Sequence, residues 1–151
     1  SENRKNGEND LIINKKIHSV LKENLNVIFC IGETLTEKKN KKTYSVLKKQ
    51  ITKGLKGIKK LNNILVAYEP IWSIGTGLIP NNSELLKNIS NIKKIFKKFK
   101  KSSNIKILYG GSVNPKNIRE LAQIKAINGF LVGGASLNSK KFIDIIKKTI
   151  N

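Results

Sequence analysis

Short apolar runs alternate along the chain with longer segments in which apolar residues recur every three or four positions. The short runs are rich in β-branched residues and predict strands at 27–31, 64–68, 105–109 and 129–132. The longer segments predict amphipathic helices at 10–22, 44–58, 83–99, 115–122 and 139–150. One helix followed by four strand–helix units is the order expected of a parallel sheet with right-handed crossovers.

The predicted strands show almost no alternation of apolar and polar residues, which is typical of strands buried on both faces of a parallel sheet. This pattern fits a doubly wound sheet and a (β/α) barrel equally well. The sequence after each strand favours the barrel, because every strand ends in polar or glycine-rich residues: CIGE, YEP, YGGS and VGGAS. In a barrel, that rim is the active-site face. Since no Pro/Ser-rich linker divides the chain, we expect residues 1–151 to form one domain.

Two neighbouring strands end in paired glycines, Gly110-Gly111 and Gly133-Gly134. Glycine allows backbone N–H groups to approach an anion without a Cβ atom in the way. The loops after the last two strands of a barrel often hold a phosphate in this manner. One pair alone would suit an ordinary tight turn. Two pairs, each followed by a small or hydroxyl residue, predict a phosphate site.

Glu69 stands at the end of the second predicted strand, beside apolar neighbours that can tune its proton affinity. Taken alone, it would be better explained by a structural salt bridge to a lysine. The segment that follows, PIWSIGTGLIP at 70–80, has prolines at both ends, two glycines near its tip and apolar residues that can exclude water. We therefore predict a lid that closes over a phosphorylated substrate while Glu69 moves a proton.

The charge of the chain is strongly positive: 30 Lys and Arg against 10 Asp and Glu give a formal value of +20. Nucleic-acid binding would explain such a charge. The lysines, however, fall in pairs within helical patterns and do not interleave with aromatic residues as on a base-stacking surface. We therefore expect a solvated lysine-rich surface that helps to attract an anionic substrate, and no nucleic-acid partner.

Several other classes of protein are not indicated by the sequence. No apolar run is long enough to span a membrane, and no Cys/His cluster has metal-ligand spacing. The single cysteine, Cys30, cannot form an internal disulfide, and no basic, apolar leader opens the chain. We expect a cytoplasmic protein with no metal and no membrane partner.

Four segments resemble motifs of the triosephosphate isomerase family, in the family's order and spacing: CIGET (30–34), AYEPIWSIGTG (67–77), YGGSVN (109–114) and LVGGASL (131–137). The resemblance covers essentially the whole chain and implies the C-terminal portion of a (β/α)8 TIM barrel, from the fourth helix through the eighth strand–helix unit. A full barrel has about 250 residues. We therefore expect the first four strands, a catalytic lysine and a catalytic histidine to lie outside this chain.

The resemblance also implies the chemistry and the residues that carry it. The activity would be cofactor-free interconversion of dihydroxyacetone phosphate and D-glyceraldehyde 3-phosphate, with Glu69 as the proton shuttle. Substrate and phosphate contacts would come from Gly75, Ser112, Leu131, Gly133 and Gly134. A second set would support the site and its lid: Glu2, Cys30, Glu33, Tyr68, Trp72, Gly77 and Tyr109.

The resemblance also implies a role for the residues of that second set. Trp72 would be the hinge of the lid, with Glu33 and Tyr68 as its partners. Tyr109, together with Ser112, would latch the closed lid. Glu2 would pair with the absent lysine, and Cys30 would have a structural role.

Pro80 departs from the family pattern, in which many members have an alanine whose N–H binds the latch tyrosine. Proline has no N–H, so we expect Tyr109 to be a weaker latch here, leaving Ser112 to pair with the Gly77 N–H. The resemblance implies that the complete protein is a homodimer and acts in glycolysis and gluconeogenesis. The chain alone is expected to be inactive. Two alternatives stay open: another phosphate-binding barrel enzyme, or a non-catalytic basic half-barrel.

Overall fold

Helices and strands alternate along the chain in the computed structural model, which describes residues 2–100 and 104–150 apart from the side chains of Glu2, Lys5 and Lys100. The helices are α1 (Asp10–Lys22), α2 (Leu35–Lys39), α3 (Thr43–Gly54), α4 (Asn82–Lys100), α5 (Ile118–Ala122) and α6 (Ser139–Ile150). The strands are β1 (Val27–Ile31), β2 (Ile64–Tyr68), β3 (Ile107–Tyr109) and β4 (Gly129–Phe130). Short 3-10 helices cover Glu2–Asn6 and Gly134–Leu137.

The strands form one parallel sheet in which each strand pairs with the next along the chain. In register, Val66 of β2 lies between Phe29 of β1 and Ile107 of β3, and Leu108 of β3 pairs with Gly129 of β4. A doubly wound sheet reverses its strand order at a switch point. The described strands show no reversal, so the sheet follows the order of a barrel wall, as the strand ends predict.

The core lies between one side of the sheet and the helices. On β1, Val27, Phe29 and Ile31 are buried, whereas Ile28 on the opposite side is 47% exposed. The buried side packs against the apolar faces of the helices, mainly through Leu47, Ile51, Leu55, Leu85, Ile89, Ile92 and Phe96. The prediction that the strands are buried on both faces is therefore wrong for β1, because the side that carries Ile28 is open in the described part of the chain.

Helix α2 is not predicted by hydrophobic periodicity, since five residues are too few to show it. A capping box fixes its start: the Thr34 hydroxyl accepts the Glu37 N–H at 3.2 Å, and the Glu37 carboxylate accepts the Thr34 N–H at 2.8 Å. This arrangement directly follows Glu33, so the end of β1 continues into a firmly held turn.

Several predicted boundaries shift in the structure. Strands β3 and β4 are shorter than predicted, and α3 ends at Gly54 rather than at residue 58. Helix α5 begins only at Ile118, because residues 115–117 form a turn. These differences leave the order of the elements, and hence the placement of the strand ends, unchanged.

Candidate active site

A cavity of about 800 Å³ lies at the C-terminal ends of β2, β3 and β4. Eight residues singled out from the sequence line it: Glu69, Gly75, Gly110, Gly111, Ser112, Leu131, Gly133 and Gly134. They come from three segments of the chain, at the ends of β2, β3 and β4. Parallel strands bring their carboxyl ends to one edge, which is why these segments meet.

Glu69 is held at this edge by the backbones of both neighbouring strands. Its N–H donates to the carbonyl oxygen of Ile31 at 2.7 Å. A Cβ atom at Gly110 would lie 2.6 Å from Glu69 Cγ, and one at Gly32 would overlap the Glu69 carbonyl oxygen. Glycine on either side thus lets the half-buried Glu69 lie against the sheet and reach the cavity. A carboxylate held in this way can accept a proton from a bound molecule.

The beginning of the lid is fixed by the fully buried Glu33. Trp72 Nε1 donates to the Glu33 carboxylate at 3.0 Å, and the Tyr68 hydroxyl donates to it at 3.2 Å. The Asn88 amide donates to the Tyr68 hydroxyl at 2.8 Å, which leaves the hydroxyl hydrogen for Glu33. Burial is the largest cause that raises the pKa of both Glu33 and Tyr68. The half-buried Trp72 and its two predicted partners, Glu33 and Tyr68, therefore form one hydrogen-bonded group.

The predicted lid contacts the end of β3 at two points, through Ser73 near its beginning and through Gly77. Ser73 Oγ donates to the Leu78 carbonyl oxygen at 2.6 Å and accepts the Ser112 N–H at 3.2 Å. The Tyr109 hydroxyl lies 3.1 Å from the same Oγ and is the donor, since Ser73 has already used its only hydrogen. The Gly77 N–H donates to Ser112 Oγ at 3.1 Å. The predicted lid segment thus lies against the strand end.

The bond expected between Ser112 and the Gly77 N–H is present, and Pro80 is buried at the end of the lid. The Tyr109 hydroxyl bonds to Ser73 near the beginning of the lid. Burial raises the pKa of Tyr109 to about 12, so its hydroxyl keeps the hydrogen that this bond needs. Tyr109 therefore contacts the lid through a partner that the sequence analysis did not consider.

Gly133 and Gly134 are exposed at the cavity, and a Cβ atom added to either would meet nothing within 4 Å. Lys116 and Lys141 line the same cavity. The sequence analysis missed both lysines. A signal was available, because each lysine follows a glycine-ended strand by a few residues. Open glycine backbone beside two ammonium groups makes this end of the cavity suitable for an anion.

Cys30 is half-buried on β1. Burial, and secondarily the charge of Glu69, raises the pKa of the Cys30 thiol to about 12. The residue is therefore a neutral thiol at neutral pH, which fits a structural role better than a nucleophilic one. Glu2, the remaining candidate, has a side chain outside the described residues.

Within residues 2–100 and 104–150, no group of three or more His, Cys, Asp or Glu side chains could hold a metal ion. In the same part of the chain, no helix is both long enough and apolar enough to cross a membrane.

The fold and the site define a class: a (β/α)-barrel protein with its site at the carboxyl ends of the strands. A comparison with protein-family models finds the family described as triosephosphate isomerase, which matches residues 1–149. The chain belongs to the triosephosphate isomerase family, and its sheet is part of that family's barrel. The family match also decides against a different phosphate-binding barrel.

Curated relatives carry the same name. A triosephosphate isomerase of Thermodesulfovibrio yellowstonii is 46% identical over 142 residues, covering 93% of this chain and 58% of the relative. That of Mycoplasma mobile is 45% identical over 140 residues, covering 93% and 56%. That of Amoebophilus asiaticus is 42% identical over 154 residues, covering 97% and 60%. The chain thus spans somewhat more than half the length of these relatives.

Proposed function

We propose that this chain carries the proton-transfer and phosphate-binding part of a triose-phosphate isomerase. The observation that carries the proposal is that Glu69, the lid residue Gly75, and the open Gly133 and Gly134 after β4 all border one cavity. The substrate would be dihydroxyacetone phosphate or D-glyceraldehyde 3-phosphate. Its phosphate would lie against the N–H groups near Gly133 and Gly134, and its carbon chain would extend toward Glu69.

In this proposal, Glu69 removes a proton from the carbon beside the substrate carbonyl and returns it to the adjacent carbon. The two substrates are isomers: one hydrogen moves between the two carbons, and a hydroxyl hydrogen moves between their two oxygens through the carbonyl-polarising groups outside this chain. No net oxidation takes place. The closed lid, held by the Ser112–Gly77 bond, keeps water from the intermediate. Such lid closure is what the family is best known for.

Residues 1–151 would be one domain, the C-terminal portion of the barrel. The carbonyl-polarising groups would come from the part of the protein that this chain does not span. We accordingly propose that the 151-residue chain alone does not turn over substrate. We also propose that the complete protein is a cytoplasmic homodimer, which sedimentation of the full-length form would test.

The test is a chimera that joins this chain to the part of the Thermodesulfovibrio relative that it does not match. We expect the chimera to isomerise glyceraldehyde 3-phosphate in a coupled assay. Its Glu69→Gln variant should be slower by about 10²–10⁴-fold, the usual contribution of a general base. A folded chimera whose Glu69→Gln variant kept turnover within tenfold of the parent would refute the role of Glu69.

A further inference from the structure

We propose that Lys38 is a positioning residue of the lid, which holds the Trp72 ring in the closed arrangement and ties it to the start of α4. The inference rests on the proposed function, because it adds a support to the lid described above. Neither the sequence motifs nor the hydrogen bonds of the hinge point to this lysine.

The position of Lys38 bridges the two ends of the lid. Its Nζ atom lies 3.8 Å from the centroid of the Trp72 ring. The same atom is 2.8 Å from the carboxylate of Glu84, in the first turn of α4. Trp72 belongs to the beginning of the lid, and α4 follows its end. One ammonium group therefore contacts residues on both sides of the predicted lid.

The contacts of Trp72 complement each other. The hydrogen bond from Nε1 to Glu33 fixes one edge of the indole ring. That bond alone would still allow the ring to tilt about it. A cation over the face of the ring opposes tilting, because the ring quadrupole attracts positive charge only along its face. The edge of the ring is thus held by Glu33, directly before α2, and its face by Lys38, within α2.

Lys38 is itself well placed to hold the ring. Its N–H donates to the Thr34 carbonyl oxygen at 3.0 Å, within the helix that the capping box begins. Its side chain is 28% exposed and that of Glu84 is 27% exposed. Partial burial of both partners strengthens their attraction compared with a fully solvated pair. The next residue, Lys39, is exposed and provides a matched control.

The sequence contains a single tryptophan, so the intrinsic tryptophan fluorescence of the 151-residue chain reports on Trp72 alone. The experiment is acrylamide quenching of this fluorescence in the parent chain and its variants. Lys38→Met keeps the aliphatic stem but removes the charge. We expect it to raise the quenching constant about twofold or more, as loss of a cation–π contact allows the ring to swing outward. Lys39→Met should match the parent, and Lys38→Arg should restore the parent value.

A quenching constant for Lys38→Met equal to that of Lys39→Met would overturn the proposal. If circular dichroism showed that Lys38→Met does not fold, Glu84→Gln would decide the matter. That variant removes the anchor on α4, and we expect it to raise quenching; no change would overturn the proposal. None of these readouts uses a substrate, so a chain that failed to bind phosphate would leave this inference standing while refuting the proposed function.

Discussion

The two glycine pairs at the ends of β3 and β4 have the same sequence and opposite surroundings. A Cβ atom at Gly110 would lie 2.6 Å from Glu69 Cγ, and one at Gly111 would lie 2.6 Å from Ser73 Oγ. A Cβ atom at Gly133 or Gly134 would meet nothing within 4 Å. The first pair is required by the packing of the protein itself. Within this chain the second pair meets no such requirement, and its backbone is accessible from the cavity.

The sequence predicts a single phosphate site from both glycine pairs, but the two pairs have different surroundings in the structure. Both pairs border the cavity, but the pair after β3 makes room for the side chains of Glu69, Ser73 and Tyr109. The pair after β4 leaves backbone accessible. Substitutions at the first pair should therefore act on stability, and substitutions at the second should act on binding.

The largest effect on stability is expected at the crowded pair, Gly110 and Gly111. Gly111→Ala would force a methyl group against Ser73 and Tyr109, and we expect it to lower the free energy of unfolding of the 151-residue chain by about 2–3 kcal/mol. Urea denaturation followed by circular dichroism measures this change. Gly134→Ala is the matched control, with an expected change within about 0.5 kcal/mol. Equal losses in the two variants would remove the distinction between the pairs.

The next effect concerns binding at the open pair. Gly134→Ala should weaken the binding of glycerol 3-phosphate, a non-reacting analogue, by about tenfold, because the new methyl group blocks close approach to the backbone. Isothermal titration calorimetry on the parent and the variant gives the ratio. Unchanged affinity in a stable Gly134→Ala variant would mean that the ligand does not lie against this backbone.

A smaller effect is expected from the lysines of the cavity. Lys141→Gln should weaken binding of the same analogue about threefold at low salt and less at high salt, since the contribution is electrostatic. Lys140→Gln removes the same charge from the exposed preceding residue. Identical losses for Lys140→Gln and Lys141→Gln would show that only the net charge of the chain matters.

The smallest effect tests the location of Glu69 on the crowded side. Burial, and second to it the charge of Glu69, together raise the pKa of Cys30 to about 12. The thiolate therefore forms only as the pH rises toward that value. Glu69→Gln removes the second cause and should speed alkylation of Cys30 by iodoacetamide at pH about 9 by roughly twofold. A slower reaction than in the parent would contradict the placement of the two groups.

The sequence was sufficient for the long and strongly patterned elements. Strands β1 and β2 and helices α1 and α6 agree with the predicted bounds to the residue. Two-residue β4 and five-residue α5 are too short for periodicity to fix their ends. Helix α2 depends on the capping box of Thr34 and Glu37, a local polar pattern rather than an apolar one.

The sequence could point to candidate site residues where a titratable side chain or a distinctive loop directly follows a strand, as at Glu69 and residues 70–80. It was not predictable where a role depends on contacts across strands. Ser73 looks like an unremarkable loop residue until the fold brings it against Tyr109 and Ser112. The difference between the two glycine pairs has the same origin, since it depends on a Glu69 side chain from the neighbouring strand.

The most direct test of the central claim is to titrate the ¹⁵N-labelled 151-residue chain with glycerol 3-phosphate and follow the backbone amide resonances. We predict saturable shifts concentrated at Gly133, Gly134, Ser112 and Gly75, and none of that pattern with glycerol. Shifts spread over the lysine-rich helices, with the resonances of Gly133 and Gly134 unmoved, would contradict the account and would favour a basic surface that attracts anions without a defined site.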